Sequence, residues 1–234
     1  MSQNPFQTPS APDPFMTAPV DGRTNDGRID LGEAISAAWQ SMTANAGVAI
    51  GGLLLVGVLS VLSYITVIGI FVLLPVVMYG GIRLFLNLAD GQGEIGDVFD
   101  GFRNFGTALL PMLLLFLMYL AAMIPAYGLM IGGAVSGKES LMVVGQVYSY
   151  AVGFGVMIRM VYAPFFVVDQ GMGAVDAVKA AWAATSGQYW IALALAIVAG
   201  IIGAAGMIAL FIGMFFTIPL SYLIYTHAYR QMAG

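Results

Sequence analysis

From residue 46 to residue 89 the chain is apolar almost without a break, and from 190 to 229 it contains no Lys, Arg, Asp or Glu. Runs of that length constrain the fold more than any other feature. One crossing of a ~30 Å hydrocarbon core takes about 20 helical residues, so each run holds two crossings. In lipid every backbone N–H and C=O must be paired inside the chain, which leaves helices or closed barrels. Barrel strands are alternating segments of ~10 residues; these runs are continuous. The expected fold class is all-α, a polytopic helical membrane protein. Composition agrees: 9% of the residues are charged, against roughly a quarter in soluble domains.

Six spans are expected. Four lie near 46–64, 68–88, 107–127 and 142–168, and 190–229 supplies two more, with a tight turn near Gly203 to Gly206. Amphipathic stretches precede each pair. The first begins at Asp30, an N-cap candidate with Glu33 at the capping-box position. Leu31, Ile35, Ala38 and Met42 share one helical face. The second carries Ile95, Val98, Phe99 and Phe102 on one face. The third, 174–186, is expected to turn Val175, Val178 and Trp182 inward and Asp176, Lys179 and Ala183 outward. Trp39, Phe102, Trp182 and Trp190 are the expected interfacial anchors, since aromatic rings suit the headgroup layer.

Residues 1–29 are of another kind. Five of the ten prolines lie there, among Ser, Thr, Asn, Gln, Asp and Gly, and such a segment cannot bury enough apolar surface to fold. It is expected to be a disordered cytoplasmic tail. Asn4-Pro5-Phe6 and Asp13-Pro14-Phe15 are its candidate docking motifs. A charged segment leading directly into an apolar core is absent, so no signal peptide is expected.

The surface stretches align with one another. Glu33-Ala34-Ile35 and Ala37-Ala38-Trp39 match Asp176-Ala177-Val178 and Ala180-Ala181-Trp182; Leu31 to Ile35 matches Ile95 to Phe99. The exits align too, Ile82-Arg83 with Ile158-Arg159 and Asp90 with Asp169. The membrane domain, 30–234, thus reads as three pseudo-repeats, about 30–90, 94–169 and 173–230, each a surface helix followed by two spans. Even-numbered spans place both termini on one side. Arg23, Arg28, Arg83, Arg103, Arg159, Lys179 and Arg230 fall on that side and only Lys138 on the other, so the positive-inside bias puts both termini in the cytoplasm.

Two stretches carry a resemblance to a known group. One runs from Gly80-Gly81-Ile82-Arg83 through Gly93, Asp97, Phe99, Gly101 and Phe102. The other runs from Ala163-Pro164-Phe165 through Asp169, Gly173, Ala174, Ala177, Ala181 and Trp182. They resemble bacterial six-span membrane proteins, a group that includes the membrane domain associated with glycerophosphodiester phosphodiesterases and its uncharacterised relatives. Ala181 stands where such proteins often carry Ser. The resemblance implies a six-helix fold in the bacterial cytoplasmic (inner) membrane. It implies no catalytic residues, because the phosphodiesterase chemistry of that group belongs to a separate soluble domain.

The chain has no cysteine and one histidine, which removes Cys-ligated and multi-histidine metal sites and argues against triad chemistry. The acids Asp90, Asp97, Asp100, Asp169 and Asp176 fall at the interface, where capping and solvation account for them. No catalytic residue, cofactor or metal site is expected, and no basic patch suggests nucleic acid. The first functional reading is a non-enzymatic membrane protein that organises or docks partners: membrane lipid, and membrane or cytoplasmic proteins through residues 1–29 or the surface helices. The alternative is a small-solute transporter or channel with a cytoplasm-facing polar cavity. Its candidate polar site is Arg83, Arg159 and His227, which occupy similar places in the second span of each repeat. An ionisable group costs about 2.5–3.5 kcal/mol at the bilayer centre. Arg83 and His227 are close enough to the span end to snorkel. Arg159 is deeper and is expected either to snorkel or to face an inner partner such as Tyr162, Gln146 or a helix-end carbonyl.

Overall fold

The computed structural model describes residues 27–208 and 213–233, so the expected tail lies outside the described residues as far as 26. Gly27 to Ile29, counted with the tail in the sequence, belong to the fold. The Ile29 N–H donates to Gln188 Oε1 at 2.8 Å, and Gln188 Nε2 donates back to the Gly27 carbonyl at 2.9 Å. One residue on, the Asp30 N–H donates to Gln231 Oε1 at 2.9 Å. Two glutamine amides thus supply the partners this extended backbone lacks, and the Ile29 side chain is buried.

Helices follow, and no strand occurs among the described residues. Helix α1 (Leu31–Ala44) starts where the Asp30 side chain accepts the Glu33 N–H. Helix α2 (Ala46–Ser63) leads to a π-turn (Gly69–Leu73) and α3 (Leu74–Ala89), which opens with Pro75 near its first turn, where a missing N–H costs least. A 3₁₀ turn (Ile95–Phe99), with reciprocal Glu94 and Asp97 caps, runs into the short α4 (Asp100–Arg103). Helix α5 (Phe105–Ser136) is 32 residues long, about 48 Å at the α-helical rise, so it extends well past the span expected at 107–127. It pairs with α6 (Glu139–Val152) through Gly145, where a Cβ would press on the Ala126 carbonyl.

The fourth crossing is not one helix, as expected over 142–168, but a broken one. A π-turn (Gly153–Met157), the single turn α7 (Ile158–Met160) and α8 (Ala163–Gln170) follow α6 in line. Pro164 explains the break: its ring and missing N–H disallow a continuous ladder. Gly171, in the left-handed region at φ 65°, ends α8. The last three helices are α9 (Ala174–Thr185), α10 (Tyr189–Ile208) and α11 (Met214–Ala233). The turn expected at Gly203 to Gly206 is not there. Both glycines lie inside α10 against α11, Gly203 beside Ser221 and Gly206 against Thr217, and the Thr217 hydroxyl donates to the Gly203 carbonyl at 3.1 Å. They serve close packing rather than a reversal.

Among the described residues, five helical segments are long and apolar enough to cross a membrane: Ala46–Ser63, Gly69–Ala89, Phe105–Ser136, Glu139–Gln170 and Tyr189–Met207. Helix α11, with Ser221, Thr226, His227, Arg230 and Gln231, is too polar to count with them. It is instead enclosed, packing against α1, α2, α3, α9 and α10 and burying Leu220, Leu223, Ile224, Thr226, His227 and Tyr229.

The surface helices lie along the bundle by small residues. In α1 the buried positions are Ala34, Ala38 and Met42; in α9 they are Ala174, Ala177, Ala181 and Thr185. The inward assignment of Val175 and Trp182 is therefore corrected: both are exposed. The cause is the solvent. Large apolar side chains need no protein cover where lipid is available, whereas close helix approach demands Ala or Gly. The middle element obeys the same rule. Val98 and Gly101 are buried while Ile95 and Phe99 face outward, and Cβ atoms at Gly80 and Gly101 would collide with the Val98 and Val76 carbonyls respectively.

Gly80→Ala or Gly101→Ala is expected to destabilise the protein by about 1–3 kcal/mol, the usual cost of overpacking. Gly96→Ala, with open space at its Cβ, should stay within about 0.5 kcal/mol of wild type. Thermal unfolding in detergent separates these outcomes; equal stability of all the variants would contradict the packing described.

Candidate functional site

Helices α3, α8 and α11 end at one polar face. Asp90 follows α3, Asp169 sits in the last turn of α8, and Arg230 in the last turn of α11. Arg230 Nη1 donates to both oxygens of Asp169 at 2.9 Å, and Nη2 donates to Asp90 Oδ2. The Tyr229 hydroxyl donates to Asp169 Oδ2 at 2.8 Å, with its ring stacked on Phe165 and edge-on to Phe166. The side chains are shielded unequally, Asp169 being 20% exposed, Arg230 30% and Asp90 47%. The cluster has geometry for tethering helix ends. No set of three metal-ligating side chains occurs among the described residues.

Deeper in the bundle is a cavity of about 660 Å³ between α3, α5, α7, α8, α10 and α11, within the range of small-molecule sites. Its wall runs along α3 from Ile82 to Ile70 and on to Tyr64. At ~1.5 Å per residue that places it about 10–28 Å from the polar end of α3. The lining is mostly apolar, with Met78, Met112, Phe116 and Pro164 typical of it, and its polar residues are Ser221, Tyr64, Tyr119, Tyr222 and Tyr225. Among the described residues, no charged side chain lines it.

The residues singled out in the sequence lie elsewhere. Arg83 reaches towards the surface, its Nε 3.8 Å from Asp100 Oδ2 and its Nη1 3.5 Å from the Val168 carbonyl. His227 Nε2 lies 2.9 Å from Ser41 Oγ on α1. The Arg159 guanidinium lies over the Trp182 ring at 4.4 Å and the Tyr189 ring at 5.3 Å. Neither Tyr162 nor Gln146 is its partner. The three do not converge, and none of them lines the cavity. Each instead meets a different surface element: Arg83 meets α4, Arg159 meets α9 and His227 meets α1. Of the anchors, Trp39 is edge-on to Phe216, Phe102 tilts against Phe99, Trp182 lies under Arg159, and Trp190 is 77% exposed beside Tyr189.

Sequence reasoning missed Arg230, which entered only as one positive charge near the terminus. A signal existed: Asp90 and Asp169 stand at matching exits, and a third exit without an acid invites a cation between them. The cavity left no comparable signal, because its lining residues are ordinary span residues. No protein-family model, curated protein or solved structure matches the chain.

Arg230→Met is expected to cost about 2–3 kcal/mol, since it leaves two acids facing each other without their charge-assisted bonds. Arg230→Lys, a point charge without the planar fork, should recover part of that, as measured by unfolding in detergent. Tyr162 offers a contrasting test. Its hydroxyl is buried without a partner, so Tyr162→Phe should be neutral or stabilising by up to ~1 kcal/mol. A clear loss of stability in Tyr162→Phe would show that the hydroxyl does have a partner.

Proposed function

We propose that this chain is a six-span membrane protein that holds an apolar or amphipathic small molecule of lipid character within the bilayer. The observation that carries the reading is the cavity of about 660 Å³ with apolar and tyrosine lining and, among the described residues, no charged wall. A solute that needs many hydrogen bonds would lose them there. A molecule with long apolar parts and one or two neutral polar groups suits the hydroxyls of Ser221, Tyr222 and Tyr225. Helix α11 serves as the sixth crossing: its polar residues are tolerated because neighbouring helices, not lipid, surround it.

Three pseudo-repeats are supported by where their matching residues go. Ala34, Val98 and Ala177, which align with one another, are each 0% exposed. In cyclic order the second span of each repeat packs on the surface element of the next, α3 on 95–103, α8 on α9, and α11 on α1. Arg83, Arg159 and His227 mark those contacts. The Lys/Arg bias supports cytoplasmic termini, and the resemblance to bacterial six-span proteins supports a place in the inner membrane. A role without catalysis is in keeping with this reading. Docking of partner proteins is a second reading, favoured by the Gln188 and Gln231 clamps that fix where the N-terminal segment leaves the domain. The cytoplasm-facing polar cavity of the transporter reading has no support from the positions of Arg83, Arg159 and His227.

Gly200 lines the cavity and has open space at its Cβ. Gly200→Phe should therefore fill the cavity without unfolding the bundle. Mass spectrometry of the purified protein is expected to find a tightly retained neutral lipid in wild type and little in Gly200→Phe, at unchanged unfolding temperature. Equal retention in the two proteins would remove the reading.

A further inference from the structure

Among the three pseudo-equivalent residues, Arg83 has a carboxylate partner in Asp100, and His227 has a hydroxyl partner in Ser41. Arg159 has ring faces instead. Its guanidinium lies over Trp182 at 4.4 Å and Tyr189 at 5.3 Å, and no carboxylate of the described residues pairs with it. Ring faces interact with the face of a guanidinium and leave its N–H edges unused. Those edges carry five donors in a planar fork that matches the oxygens of a phosphate.

The rings are themselves held in place. The Tyr189 hydroxyl donates to the Phe154 carbonyl in the π-turn at 2.6 Å, and α9 is anchored beneath Trp182 by buried Ala177 and Ala181. The level is that of the headgroups, as the amphipathic α9 and the exposed Trp182 and Trp190 indicate. A cation there with unused donors attracts a phosphate rather than water alone, because the surroundings are only partly aqueous. Lys179, one turn before Trp182, does not share this geometry: it is paired with Asp176 at 3.4 Å, and both side chains are 73% exposed.

We propose that Arg159, oriented by Trp182 and Tyr189, binds a phosphate group at the membrane surface, carried either by a phospholipid headgroup or by a soluble phosphate ester. This site is separate from the cavity and does not depend on what the cavity holds.

Trp182 reports on it directly in a Trp39→Phe/Trp190→Phe background, because it is then the single tryptophan left of three. The protein, in a phosphate-free detergent, is titrated with phosphatidylglycerol, with diacylglycerol and with inorganic phosphate. Phosphatidylglycerol is expected to shift Trp182 emission saturably, and diacylglycerol, which lacks the phosphate, to leave it unchanged. Arg159→Gln should weaken the response about tenfold or more, the worth of a charge-assisted bidentate contact, while Lys179→Gln should not. Competition by inorganic phosphate assigns the site to soluble phosphates; its failure to compete assigns it to the lipid headgroup. Equal responses to diacylglycerol and phosphatidylglycerol overturn the proposal, and that comparison stands even where Arg159→Gln fails to fold. An unchanged affinity in folded Arg159→Gln, or an equal loss in Lys179→Gln, overturns it as well.

Discussion

One guanidinium ties together the ends of three helices that are far apart in sequence. Arg230 bridges Asp90 at the end of α3 and Asp169 at the end of α8. Between apolar helices in lipid there is no hydrophobic drive to associate, because the tails are as apolar as the side chains. Association must come from close packing and from polar contacts. Arg230 provides the polar contact at one end, and the stacking of Tyr229 on Phe165 and Phe166 extends it inward. Glycine and alanine provide the close packing, at Gly80, Gly101, Ala177 and Ala181. A cavity persists where those devices stop.

The arrangement explains how α11, the most polar of the long helices, sits where it does. Its Leu223 and Ile224 are buried against neighbours, and its Ser221 and Thr217 hydroxyls donate to α10 carbonyls. The surface helices then close the polar end. Because they approach by small side chains, their large ones, Val175, Trp182 and Trp39, are left for the lipid. Arg159 sits beneath α9, whose Trp182 ring covers its guanidinium.

The existence of long helices was legible because apolar runs of crossing length have no other stable form in lipid. So was the Asp30 cap of α1. Helix α9's inward face was not, because ranking residues by hydrophobicity assumes water on the other side. The α10–α11 turn was misplaced for a related reason: Gly203 and Gly206 read as a turn, yet in a membrane bundle glycine more often marks close approach. Breaking of the fourth crossing was foreshadowed by Pro164. Arg230 and the cavity depend on which helix ends and which span faces meet, and that is a property of tertiary packing that no single stretch displays.

Arg230 can tie α3 and α8 at one membrane face only if α11 crosses the membrane despite its polarity. The chain has no cysteine, so single cysteines can be labelled without background. Ile65, Lys138 and Gly213 would then lie on one side and the exposed Gln92 and Asp176, with Ala233 at the end of α11, on the other. Single-cysteine variants at these positions, treated in intact cells with a membrane-impermeant maleimide, measure this directly. Labelling at 65, 138 and 213, with 92, 176 and 233 protected until the membrane is opened, is the expected result. Labelling of 233 from outside together with 213 would mean that α11 does not cross, and the central position given to Arg230 would have to be abandoned.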